Sequence, residues 1–193
     1  MGEVEGQVRS EQLDAEREAR RRAALAQIRQ YPDPALRMRA NEVQDVGDAV
    51  AELVERMTGL MQEARGVGLA APQVGVLRRV LVYQVADEGP VVALVNPRLT
   101  GSSEEEETVD EGCLSLGAAS VVVPVSRPTT VRVEALTPDG DQVTVDAEGL
   151  EARVIQHELD HLDGMLIIDR TTADERRHAL GRLRPQPILG PLV

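Results

Sequence analysis

The run His157-Glu158-Leu159-Asp160-His161 has the H-E-x-x-H pattern. On a helix, imidazoles four residues apart lie one turn apart on the same face, where both can bind one metal ion, and Glu158 comes within reach of a water on that ion. Two core histidines that merely shared a stripe would bury two polar rings without partners, which is costly. Two imidazoles leave a catalytic metal one protein ligand short, because such sites usually combine three ligands with an open position. Cys113, the single cysteine, is the first candidate for the third, although a lone cysteine is more often a small buried hydrophobe. Glu175 and His178 compete, lying downstream of His161 where H-E-x-x-H peptidases place their third ligand. Thr172 and Glu175 have capping-box spacing, which accounts for Glu175 as a helix cap, and His178 reads as an exposed residue among arginines.

These side chains need elements to carry them. Leu150, Val154, His157 and His161 fall at offsets of zero, four, seven and eleven, and Ile155, Leu159 and Leu162 form a second stripe beside them, so the spacing predicts a mostly buried helix from Gly149. A short strand over Met165–Ile168 follows, then a last helix from Thr172 bearing Arg176, Arg177, Arg182 and Arg184, stopped by Pro185. Upstream, Leu53, Val54, Met57, Leu60, Met61 and Ala64 mark one face of another helix, with Asp48 as N-cap and Gly66 at C′. Gly66–Gln73 is a small-residue loop that lets a ligand approach the backbone. Strands are expected over Val80–Val85, Val91–Val95 and Val121–Val125, and the alternation in Val131, Val133, Ala135, Val143 and Val145 flanks Thr137–Asp141 as a hairpin. The acidic run Glu104–Glu107 reads as a solvated loop. Residues 1–24 pair opposite charges at helical spacing, Glu16 with Arg20 and Glu18 with Arg22, as a solvated helix or a disordered extension. Tyr31-Pro32-Asp33-Pro34 breaks any helix, and the folded domain is expected to begin near Leu25.

With 193 residues, one domain is the default. The apolar fraction is 42%, yet Phe and Trp are absent and Tyr31 and Tyr83 are the only aromatics, so the core must be aliphatic. All 21 basic residues are Arg against 33 acids, and the net charge of −12 disfavours nucleic-acid binding, DNA included. Cys113 cannot form an internal disulfide and the N-terminus is charged where a signal core would be apolar, which points to the cytoplasm. No apolar run approaches the roughly 20 residues of a membrane span.

Three segments together resemble the peptide deformylases, metal hydrolases that remove the formyl group from newly made N-formylmethionyl chains. Gly66–Gln73 is similar to the family's glycine motif, Glu111–Ser115 to its second, and Gln156–His161 with Leu162-Asp163-Gly164 to its third, in the same order and with matching spacing. The resemblance runs from about Tyr31 to about Thr171. It implies that Cys113, His157 and His161 bind one divalent ion, that Glu158 moves protons, and that Gln73 and the Leu114 backbone N–H steady the oxyanion. It further implies that Gly66, Val67 and Gly68 line the substrate cleft, with Leu150 and Val154 as candidates for the wall of the methionine pocket; as a helix stripe those two read equally well as plain core. Iron(II) is the metal it suggests, although this ligand set also accepts zinc, nickel or cobalt. The expected fold is α+β, antiparallel strands packed around a central metal-binding helix. Residues 1–24 are then a charged extension, 25–184 a catalytic domain ending in the Arg-rich helix, and 185–193 a tail.

One segment departs from the pattern. Many family members continue the second motif with Ser-x-Pro and later a basic residue that touches the substrate chain, whereas this chain reads Ser115-Leu116-Gly117-Ala118-Ala119-Ser120. Glycine in place of proline predicts a more mobile segment. Two other functions compete: a zinc peptidase with Glu175 as third ligand, and a non-enzymatic chain that binds ribosomes or nascent peptides. The arginines of the last helix could touch ribosomal RNA, although four on one helix usually form a solvated face.

Overall fold

In the computed structural model, which describes residues 2–86 and 88–183, strand β2 (Val80–Tyr83) is buried along its whole length. Successive side chains of a strand point to opposite faces, and here each face has its own core. Val80 and Val82 pack with Val50, Met57, Leu60 and Met61 of α2 (Asp48–Glu63), while Leu81 and Tyr83 pack with Ile155, Leu159 and Leu162 of α3 (Gly149–Leu162). Covered on both sides, β2 reads as an unbroken apolar run, as a doubly buried strand must.

The sheet around β2 has five strands in the order β1-β2-β3-β6-β7, with β1 at Gly68–Ala70, β3 at Val92–Ser102, β6 at Thr130–Leu136 and β7 at Gln142–Glu148, all neighbours antiparallel. A second sheet pairs β4 (Glu106–Gly112) with β5 (Val122–Pro128). Helix α3 packs against β1, β2, β6 and β7 of the first sheet and β5 of the second. The α+β architecture around a central helix is therefore present. Behind β5, Val121, Val123 and Val125 form a third core with Leu166–Ile168 and with Ala179 of α4 (Ala173–Leu183).

Several elements differ from expectation. Gly47 is the N-cap of α2, and Asp48 is its first residue. The left-handed C′ residue of α2 is Arg65, at φ 59°, in a Schellman motif: Arg65 N–H donates to the Gln62 carbonyl at 3.0 Å and Gly66 N–H to the Met61 carbonyl at 2.8 Å. Gly66 is needed for another reason, since a Cβ there would lie 2.7 Å from Leu114 Cδ1. Val80–Val85 pairs only as far as Tyr83, and the expected strand at Met165–Ile168 is instead a 3-10 turn, Ile167–Asp169, buried by its isoleucines. Glu106 and Glu107, assigned to a loop, pair with Pro128 and Arg127 as the start of β4. Their exposure explains why apolar alternation could not reveal the strand. The hairpin turn falls between β6 and β7 as expected, closed by the Thr137 N–H to the Asp141 carbonyl at 2.8 Å.

The N-terminal segment is helical, α1 (Gly2–Leu25), and Ala24 joins the core. The charge pairs on it are not those expected: Arg20 reaches Glu63 of α2 at 3.5 Å and Glu18 pairs with Arg21. On α4, Arg176 and Arg177 pair with Asp169 and Asp174, and Arg182 donates to the Ser120 carbonyl at 2.6 Å. Glu175 N–H is capped by Thr172 Oγ1 at 3.2 Å. Arg184, Pro185 and the 185–193 tail lie outside the described residues. No helix among the described residues is long and apolar enough to cross a membrane.

Candidate active site

Cys113 follows the last residue of β4, and the histidines stand on α3, so sheet and helix meet at the site. One ligand atom from each of Cys113, His157 and His161 lies within 4.8 Å of the others, the one such cluster of three among the described residues. Cys113 Sγ is 3.3 Å from His161 Nε2, both deeply buried. His157 Nδ1 lies 3.0 Å from Glu111 Oε2. A carboxylate accepts, so Nδ1 carries the proton and the Nε2 lone pair is left for an ion, the arrangement that orients metal-binding imidazoles. Glu175 and His178, on α4, are not part of the cluster.

A cleft of about 300 Å³ opens over this cluster. Cys113, His157 and Glu158 line it together with Gln73 and Leu114, while His161, 1% exposed, sits behind. Gly66, Val67 and Gly68 also contribute to the lining, as do Leu150 and Val154 of α3. Leu150 is 54% exposed, which rules out the plain-core reading for it; Val154 is buried. All eleven candidate residues are thus at one place, ten on the cleft and His161 beneath it.

Gly68 has a steric role. A Cβ at this position would stand 2.4 Å from Glu158 Oε1 and 2.9 Å from Val154 Cγ1, so only glycine lets β1 pass over the carboxylate. Glu158 is buried, and its Oε2 has no hydrogen-bond partner among the described residues. Burial, only partly offset by the His157 and Arg127 charges, pushes its carboxyl up to about 7. Burial likewise drives His161 well below its ordinary value, helped by the His157 charge, and keeps it neutral, the form in which an imidazole can bind a metal. For His157 burial also opposes the charge, but the hydrogen bonds to Cys113 and Glu111 outweigh it and raise the group in the metal-free chain.

Gln73 is fixed by both ends of its amide. Its Oε1 accepts from Ala70 N–H at 2.8 Å, and its Nε2 donates to Ser115 Oγ at 3.1 Å with Cys113 Sγ 3.9 Å away. Two roles escaped the reading of the sequence. Ser115, fully buried, orients Gln73, and Glu111 orients His157. Both lie inside the second motif, where their types gave no sign of which neighbour they would touch. The segment after that motif, Gly117, Ala118 and Ala119, is left-handed at three successive residues, φ 61°, 54° and 65°. Hydrogen bonds from Ala119 N–H to the Cys113 carbonyl and from Ala118 N–H to Gln30 Oε1 hold it, and Ala119 reaches the cleft.

Residues 25–177 match the family described as polypeptide deformylase. The chain is 42% identical over 147 residues to the peptide deformylase of Natranaerobius thermophilus, covering 76% of this chain and 92% of that one. It is 42% identical over 170 residues to that of Acidothermus cellulolyticus, at 88% and 92% coverage. Among solved structures it is similar to the peptide deformylase of Synechococcus elongatus in complex with actinonin, with a TM-score of 0.76 at 34% identity over 80% of this chain and 85% of that one. The Thermotoga maritima enzyme gives a TM-score of 0.71 at 41% identity, with 75% and 96% covered. A family match over residues 25–177, with 42% identity to relatives over most of both chains, makes it a member of the peptide deformylase family.

Proposed function

We propose that Cys113, His157 and His161 hold one divalent ion, and that Glu158, Gln73 and the Leu114 N–H use it to hydrolyse the formyl group from the N-terminal methionine of nascent polypeptides, releasing formate. The observation that carries this reading is the convergence of three ligand atoms within 4.8 Å beside a buried carboxyl with a free oxygen. Two imidazoles and a thiolate suit iron(II), zinc, nickel or cobalt, and family resemblance favours iron(II). Held by Cys113, His157 and His161, such an ion would supply Lewis acidity toward the formyl carbonyl and would lower the pKa of a water toward neutrality.

The protein's own groups do the rest. Glu158, with Oε2 unpaired, accepts the proton of the attacking water and delivers it to the methionine nitrogen as the C–N bond breaks, since an amide anion could not leave unprotonated. Gln73 Nε2 has two N–H bonds, one given to Ser115 and the other directed at Cys113 Sγ, 3.9 Å away, from which it turns to join the Leu114 N–H at the formyl oxygen as that becomes negative. Losing one such donor costs about 100-fold to 1000-fold in rate. Val67, Leu150 and Val154 give the cleft the apolar wall that a methionine side chain needs, with Gly66 and Gly68 keeping it open. A substrate made on ribosomes fits a cytoplasmic enzyme.

The test is formate release from formyl-Met-Ala-Ser by protein purified without oxygen. Glu158→Ala should keep its metal and lose turnover, and Cys113→Ala should lose the metal. A chain that holds its metal yet releases no formate would overturn the reading.

A further inference from the structure

Arg127, on β5, is 4% exposed and takes no part in the chemistry above. A buried guanidinium is costly unless paired, and here each of its three nitrogens has a carboxylate partner. Its Nε and Nη2 donate to both oxygens of Glu111, at 2.7 and 3.0 Å, and its Nη1 donates to Asp160 Oδ2 at 2.9 Å. Glu111 lies two residues before Cys113 and bonds His157; Asp160 stands on α3 beside His161. One rigid fork therefore joins the strand that leads to the sulfur to the helix that carries both imidazoles.

A bidentate guanidinium–carboxylate pair fixes the carboxylate plane, which a lysine at the same place could not do. With that plane fixed, Glu111 Oε2 holds the His157 ring in one orientation. We propose that Arg127 is a positioning residue of the metal centre, locking Glu111 so that His157 Nε2 stays aimed at the ion, and that it thereby sets how slowly the ion leaves. This rests on the reading that Cys113, His157 and His161 hold the ion.

The experiment loads full-length protein with Co²⁺, adds excess EDTA and follows loss of the thiolate-to-cobalt absorption. Arg127→Lys is expected to release cobalt about 10-fold to 100-fold faster than wild type, the usual effect of losing an outer partner of a metal ligand. Arg79→Lys is the matched control: Arg79 is also buried and ion-paired, but its partners are Asp163 and the Pro97 carbonyl. An unchanged rate in Arg127→Lys, or equal acceleration in Arg79→Lys, overturns the proposal. If Arg127→Lys does not fold, Asp160→Asn, which weakens the second anchor of the fork, should still release cobalt faster than Arg79→Lys, and equality overturns the proposal. Cys113→Ala and His161→Ala separate the two readings. Wild-type cobalt retention in both would sink the ligand assignment and the proposal with it, whereas their loss of cobalt beside an unchanged Arg127→Lys would sink the Arg127 proposal alone.

Discussion

Glu158 and Glu111 are buried carboxyls with opposite fates, and pH separates them. Glu158 is raised to about 7 from 4.5, so its ionisation opposes folding increasingly as pH rises from 4.5 through 7. In the metal-free chain, Glu158→Gln should raise the melting temperature at pH 8, with the gain gone by pH 4, and a scan at both pH values checks this; in the metal-loaded protein the same change should abolish turnover. For Glu111 burial again raises the carboxyl, but the hydrogen bonds from His157 and Arg127 override it and hold the group at about 2. Its stabilisation is complete above about 4.5 and fades as pH falls toward 2. Glu111→Gln should therefore melt well below wild type at pH 6, and the gap should narrow by pH 3. Gly68→Ala drives a methyl into Glu158, and kcat/KM for a formylated peptide is expected to fall at least about 100-fold, since small misplacements of reacting groups cost that much. The ligand types were legible because chemistry constrains them to few residues at fixed spacing. Glu111 and Arg127 were not, because their roles depend on a β4–β5 pairing that brings residues 16 apart together.

Among the elements, α3 and the β6–β7 hairpin were readable from period alone, since each buries one regular set of side chains. Strand β4 was not: its outer residues are acidic and exposed, and backbone pairing to β5 holds them. The end of α2 was misread for a related reason, as glycine is the usual left-handed residue but here Arg65 takes that conformation and Gly66 is reserved for contact with Leu114. A left-handed non-glycine residue costs about 1 to 2 kcal/mol. Arg65→Gly should raise the melting temperature by about 2 to 8 °C with helix content unchanged by circular dichroism.

For the whole molecule, the proposed ligands come from the end of a two-stranded sheet and from a helix packed on a five-stranded one, so a bound ion would tie both sheets together. Metal at about 100 times its Kd should add about 2.7 kcal/mol, or roughly 5 to 10 °C in melting temperature at this size. Differential scanning calorimetry with and without chelator reads the shift, and Cys113→Ala should remove it.

That tie has a cellular side. If the proposed site holds, a chain stripped of its ion would lose catalysis and stability in one event, and populations of opened protein set how fast proteases clear it. Metal starvation should then shorten the lifetime of the protein as well as silence it, so that supply of the ion governs how many copies a cell keeps.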